Sequence, residues 1–152
     1  MSDERSAEER AREMIDRNLY MVLGTADRDG RPWASPVYYA PSGYREFLWI
    51  SDPDARHSRN IAARPEVGIV IFDSSVPINT GQGVYMEALA TELAAEEAAE
   101  AIEIFSRRGV GHGAGRITLE DVREPARHRL YRARASALWI LDERDNRLPA
   151  SP

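Results

Sequence analysis

Two β-patterned runs separated by a four-residue turn constrain this chain more than any other feature. Leu19–Ala26 is rich in strand-forming residues, Asp27-Arg-Asp-Gly30 is a turn that closes on glycine, and Pro32–Ala40 resumes the β pattern with Val37, Tyr38 and Tyr39. A second turn, Pro41-Ser-Gly43, leads into a third strand, Glu46–Ser51. Strands joined this tightly run antiparallel, because parallel neighbours need a crossover of roughly a dozen residues or more. The spacing therefore predicts an antiparallel meander of these three strands.

The remaining segments extend that picture. Ser6 followed by Glu9 fits a capping box, and Ala7, Ala11, Met14 and Ile15 make a narrow apolar stripe, so residues 1–18 read as an N-terminal helix. Asp52-Pro53 is expected to open a second helix, with aspartate as its cap and proline in its first turn, and Pro65 stops it. Val67–Asp73 is almost wholly apolar, as in a strand covered on both sides. In Val84–Leu93 the residues Val84, Met86, Ala88 and Ala90 alternate with Tyr85, Glu87, Leu89 and Thr91. Glu96–Arg108 has helical spacing, Thr118–Val122 reads as a short helix capped by Thr118, and Arg127–Asp142 carries a long β pattern. Residues 143–152 read as a tail. The sum is a single mainly β domain over 1–152, a six-stranded antiparallel barrel, closed or split, with short helices inserted.

Composition removes several chemistries. There is no cysteine, hence no disulfide and no thiolate nucleophile or metal ligand. The histidines, His57, His112 and His128, show no ligand spacing, so no metal centre is expected. A net charge of −5 argues against a nucleic-acid-binding body. No apolar run reaches the roughly 20 residues of a membrane span. The charged N-terminus, MSDERSAEERAREMIDRN, is unlike the apolar segment of a secretion signal, and the expected location is the cytoplasm. All 20 basic residues are arginine, so lysine Schiff-base chemistry is excluded and any anion must be held by guanidinium, imidazole or backbone amides. The run Gly109-Val-Gly-His-Gly-Ala-Gly115 follows a helix and lacks phosphate-loop spacing, so it reads as a connector. Ser35 is not in a nucleophile elbow, and Glu87 reads as a rim carboxylate.

One cluster does point to chemistry. Ser51 ends a strand, a helix begins after it, and Arg56, His57, Arg59 and Asn60 crowd its first turns. Free N–H groups at a helix start suit a phosphate, a serine hydroxyl adds a donor, and a guanidinium can give two parallel charge-assisted bonds.

With that cluster in view, the runs NLYMVLGTADRDGRPWASPVYY, FLWISDPDARHSRNIAARPEVGIVIF and VYMEALATEL together resemble the pyridoxamine 5′-phosphate oxidase-like family of FMN-binding split barrels. The resemblance spans about Leu19 to Asp142 and is most specific from Leu48 to Pro65. It implies a homodimer of six-stranded antiparallel barrels with FMN in the groove between subunits, acting as a flavin-dependent oxidoreductase on a small-molecule substrate. By the same resemblance, Ser51 and Arg56 bind the FMN phosphate with His57 as their basic partner, Ile50 is a further cofactor-binding residue, and Val37 and Tyr38 support the ring. Gln82 contacts flavin or phosphate, and Trp139 lines the site from the partner subunit. Trp139-Ile-Leu-Asp-Glu-Arg-Asp145 lacks the glycine and following histidine of members that make pyridoxal phosphate, which speaks against vitamin B6 oxidation. His57 stands where many members carry lysine or arginine. Alternatives are a deazaflavin-dependent reductase and a non-catalytic flavin carrier, followed by a structural dimer that has lost its ligand.

Overall fold

The computed structural model describes residues 3–150. The ends of the predicted N-terminal segment and C-terminal tail, Met1, Ser2, Ser151 and Pro152, lie outside the described residues. In chain order the elements are α1 (Ala7–Arg17), β1 (Tyr20–Ala26), β2 (Pro32–Tyr38), β3 (Ala40–Ser42), β4 (Glu46–Ser51), α2 (Arg56–Ala63), β5 (Glu66–Phe72), β6 (Gly83–Glu92), α3 (Ala95–Gly111), a turn of 3₁₀ helix (Leu119–Val122), β7 (Arg129–Leu141) and β8 (Arg147–Pro149). All strand pairings are antiparallel, and the sheet order is β2-β1-β5-β6-β7-β4-β3, with β8 beside the end of β7. This curled sheet is the split barrel.

Period-2 alternation fills the barrel. Met21 and Leu23, Phe47 and Trp49, Ile69 and Ile71, and Val84 and Met86 point inward and form one continuous buried cluster. The β6 alternation is as expected, with Val84, Met86, Ala88 and Ala90 buried. α1 lays its stripe on this core through Ala11 and Ile15. Its capping box is present, Glu9 N donating to Ser6 Oγ and Ser6 N to Glu9 Oε2. A second cluster forms outside the barrel, where α3 covers Leu48 and Leu130 with Ala98, Ile102 and Phe105.

Five expectations need correction. β5, expected to be covered on both sides, is buried on one face only, with Val67, Ile69 and Ile71 inside and Glu66, Gly68 and Phe72 exposed. The other four concern where elements begin, end and pair. First, the three-strand meander does not form. β1 and β2 pair, but β4 pairs with β7, and only Ala40–Ser42 turns back onto β4. The run Pro32–Ala40 divides at Tyr39, whose carbonyl accepts from the Arg108 guanidinium of α3 instead of a ladder N–H. Second, α2 begins at Arg56, because Asp52 caps a turn of its own. Its Oδ1 accepts from Asp54 N at 2.9 Å and its carbonyl from Ala55 N at 3.0 Å. Third, α3 runs past Arg108 to Gly111, so the glycine-rich connector starts inside a helix. Fourth, the tail contains β8. Asp142 Oδ1 accepts from Arg144 N and Asn146 N, turning Leu141 back onto Arg147 and burying Ala150. The predicted six strands thereby become eight.

Candidate functional site

The corner between β4 and α2 is built locally and then braced from a distance. Ser51 is the last residue of β4 and faces the barrel interior, following the alternation Phe47, Trp49, Ser51. α2 is fixed across the barrel mouth by Ile61 in the core, by Asn60 Nδ2 donating to Thr25 Oγ1 at 3.0 Å and by Arg64 reaching the Arg28 carbonyl at 3.0 Å. That placement sets His57 Nε2 at 2.8 Å from Ser51 Oγ. His57 is half-buried, and loss of solvent holds its imidazole below the usual histidine range, so at neutral pH it is the uncharged partner of the hydroxyl.

α2 also starts without a side-chain cap. Its N-cap residue is Ala55 and no acidic residue stands in its first turn, so the N–H groups there keep their partial positive charge without a side-chain acceptor. Arg56 extends from this turn into solvent, its guanidinium stacked 4.2 Å above the Trp33 ring of β2. From the other side, Arg127 pairs with Asp52, and Arg129 donates to the Ala126 carbonyl at 2.6 Å. Asp52 lies below the usual carboxylate range, chiefly because the Asp54 N–H binds it and also because Arg127 faces it. The corner therefore presents a hydroxyl, an imidazole, an anchored guanidinium and an uncapped helix start, ringed by further arginines. The donor set fits a phosphate monoester.

Ser51 and His57 meet through their side chains at 2.8 Å, while Arg56, next to His57 in sequence, carries its guanidinium onto the Trp33 ring. Ile50 lies next to Ser51 in sequence, but its side chain points outward onto the α3 cluster. Val37 is buried in the barrel core, so only its backbone can meet a ligand. Tyr38 is wedged edge-on between Tyr20 and Phe105, at 6.1 Å and 5.5 Å, under the α3 helix. β2 ladders with β1 alone and is an edge strand, so its other edge can take a planar heterocycle. Gln82 and Trp139 sit elsewhere. Gln82 Nε2 donates to the Leu141 carbonyl at 2.7 Å and its Oε1 accepts from Leu141 N at 2.8 Å, extending the β6–β7 ladder with a side chain. Trp139 lies near the same end of β7 under Arg147, 4.8 Å from its ring. Ser51 pairs with Arg129 at the opposite end of β7. Within one protomer Trp139 and Ser51 belong to different ends of the barrel.

Trp33, Arg127 and Arg129 also lie at this corner, and local spacing could not reveal them. The signal for Trp33 is only its place across the Asp27–Gly30 turn, opposite Thr25.

An antiparallel split barrel with a phosphate-suited corner defines the class, and sequence comparison gives the family. The family model for pyridoxamine 5′-phosphate oxidase matches residues 7–141, and the chain belongs to that family. Solved structures of similar fold include the haem storage protein HutZ from Vibrio cholerae, with 19% identity, a TM-score of 0.71 and coverage of 90% of this chain and 95% of that one. A haem-binding protein from Mycobacterium smegmatis has 19% identity, a TM-score of 0.75 and coverage of 99% and 60%. An F420 reductase has 17% identity, a TM-score of 0.61 and coverage of 83% and 93%. No curated protein matches the sequence. Among the described residues no group of acidic and histidine side chains could hold a metal ion, and no helix is long and apolar enough to cross a membrane.

Proposed function

We propose that the chain is an FMN-binding oxidoreductase that works as a homodimer on a small-molecule substrate. The observation that carries this reading is the coincidence at one corner of the uncapped α2 start, the Ser51–His57 pair and the Trp33-anchored Arg56. FMN, when bound, supplies the hydride chemistry; the chain anchors and orients it. Ser51 and the first-turn amides donate to the phosphate, Arg56 neutralises it, and the free edge of β2 offers backbone groups to the ring system.

The partner subunit is part of this reading. α3 covers β3, β4 and the start of β7 and reaches Tyr38 at the end of β2. The outward face of β1, β5 and β6 carries Tyr20, Val22, Val70, Phe72 and Tyr85, and Tyr20 is 61% and Phe72 48% exposed. An apolar face of this kind suits a second copy. A twofold partner is also the means by which Trp139 could reach a site at Ser51.

The test is titration of the purified protein with FMN, with deazaflavin F420 and with haem. FMN fluorescence should be quenched at one equivalent per chain, and Arg56→Ala should weaken that binding about tenfold or more, as expected for a charge-assisted bond. Quenching by F420 alone would make it a deazaflavin protein. Haem binding without flavin binding would place it with the haem proteins its fold resembles. Bound FMN that no nicotinamide reduces would mark a carrier.

A further inference from the structure

Beside α2 lies a cleft of about 430 Å³, bounded by Pro53, Pro65, Ala62 and Ile61 on one wall and by Ala90, Glu92 and Tyr131 on the other. That volume is within the range of small-ligand sites. Its walls are mainly apolar, which by itself would mark only a packing gap. Ser58 makes it more than that. The residue is 2% exposed, it lines the cleft, and its hydroxyl has no hydrogen-bond partner. The Tyr131 phenol lies beside it, but the two form no bond of acceptable geometry. A buried hydroxyl left unpaired is destabilising, and a ligand reaching into the cleft would satisfy it.

The charge at the mouth selects among ligands. Glu92 and Tyr131 are direct cross-strand partners of β6 and β7, so both face the cleft. Arg132 is engaged with Glu97 at 2.8 Å and points to the other face, while Arg129, which shares the face of Tyr131, turns its guanidinium to the Ala126 and His128 carbonyls at 2.6 Å and 2.7 Å. Among the described residues Glu92 has no ion-pair partner.

We infer that this cleft is a second ligand site, separate from the Ser51 corner, for a small apolar molecule with one protonated amine. The amine would lie at Glu92, the body against Pro53, Ala62 and Ala90, and a polar atom of the ligand would pair with the Ser58 hydroxyl. Trp49 stacks on Tyr131 with ring centroids 5.7 Å apart, so occupancy would alter its emission.

Benzylamine is the probe for the charge, with benzoate as its charge-reversed counterpart, and 4-hydroxybenzylamine, whose phenol supplies the polar atom for Ser58, should bind more tightly than benzylamine. All are followed by amide chemical shifts of the full chain. Benzylamine should give saturable shifts at residues 58–62 and 90–92 with a Kd of about 1 mM or tighter, a strength that eight heavy atoms reach at ordinary ligand efficiency. Glu92→Gln, at the exposed mouth, should weaken it roughly tenfold, and Ala62→Trp, which fills the cleft from the helix side, should abolish it. FMN titration of both variants should match wild type, so failure here is distinguishable from failure of the cofactor reading. Absence of saturable shifts, equal binding of benzoate, or an unchanged Kd in Glu92→Gln overturns the proposal.

Discussion

Ser51 Oγ and His57 Nε2 stand 2.8 Å apart across the turn that joins β4 to α2, and neither has another side-chain partner among the described residues. The pair is neutral as it stands, and it lies where the helix start is uncapped. A phosphate entering this corner would meet a hydroxyl that can turn to donate and a ring that can take up a proton.

Replacing Ser51 with alanine should therefore weaken FMN binding about tenfold with little change in fold, because the site keeps its volume and loses one donor. Flavin fluorescence titration reads the affinity and urea unfolding the stability. Equal affinity in the variant would remove Ser51 from the site.

The pH dependence of His57 has two signs. In the free protein burial lowers its pKa from 6.5, so the unfolded chain binds more protons below that value. The contribution to stability is complete above about pH 6.5 and is lost as pH falls toward the folded value. A phosphate dianion beside the ring favours the imidazolium instead, so FMN affinity should fall as pH rises from 6.5 to 8. His57→Gln should flatten both trends, measured by thermal unfolding and by titration at each pH.

Gln82→Ala should reduce stability by about 1–3 kcal/mol, because it leaves the Leu141 N–H and carbonyl without partners at the end of the β6–β7 ladder. FMN affinity should change less than stability. A large loss of affinity at constant urea midpoint would show that the amide works on the ligand.

Val70→Arg puts a charge in the middle of the uncovered apolar face, opposite Val22 on β1 and Tyr85 on β6. With the proposed twofold contact on this face, the wild type should sediment as a dimer and the variant as a monomer that keeps its circular dichroism and binds FMN at least tenfold more weakly. A dimeric variant with full affinity would place the subunit contact elsewhere.

How much of this was legible in the sequence follows from how local each feature is. The α1 cap, the β6 alternation and the closeness of Ser51 to His57 are set by residues within one or two turns of each other, and all were readable. The division at Tyr39 was not, because it depends on Arg108, a residue of α3 whose carbonyl partners also include Asn18 at 2.7 Å. The delayed start of α2 had a local cause, but Asp-Pro serves equally as a helix opening or as an Asx turn, and only the Ala55 N–H to Asp52 carbonyl bond decides between them. Strand β8 has too few residues to show a period. Trp33 and Arg127 come to the corner by sheet pairing and by an ion pair over long sequence distance, which no spacing rule encodes.

The length of β7 carries one more consequence. A strand that starts beside Ser51 and finishes beside Trp139 sets those residues on the order of 30 Å apart if extended, at about 3.3 Å per residue. A cofactor touched by both would bridge two chains, and its retention would then depend on protein concentration. Dilution that separates the subunits would release the pigment, and saturating pigment would hold the subunits together.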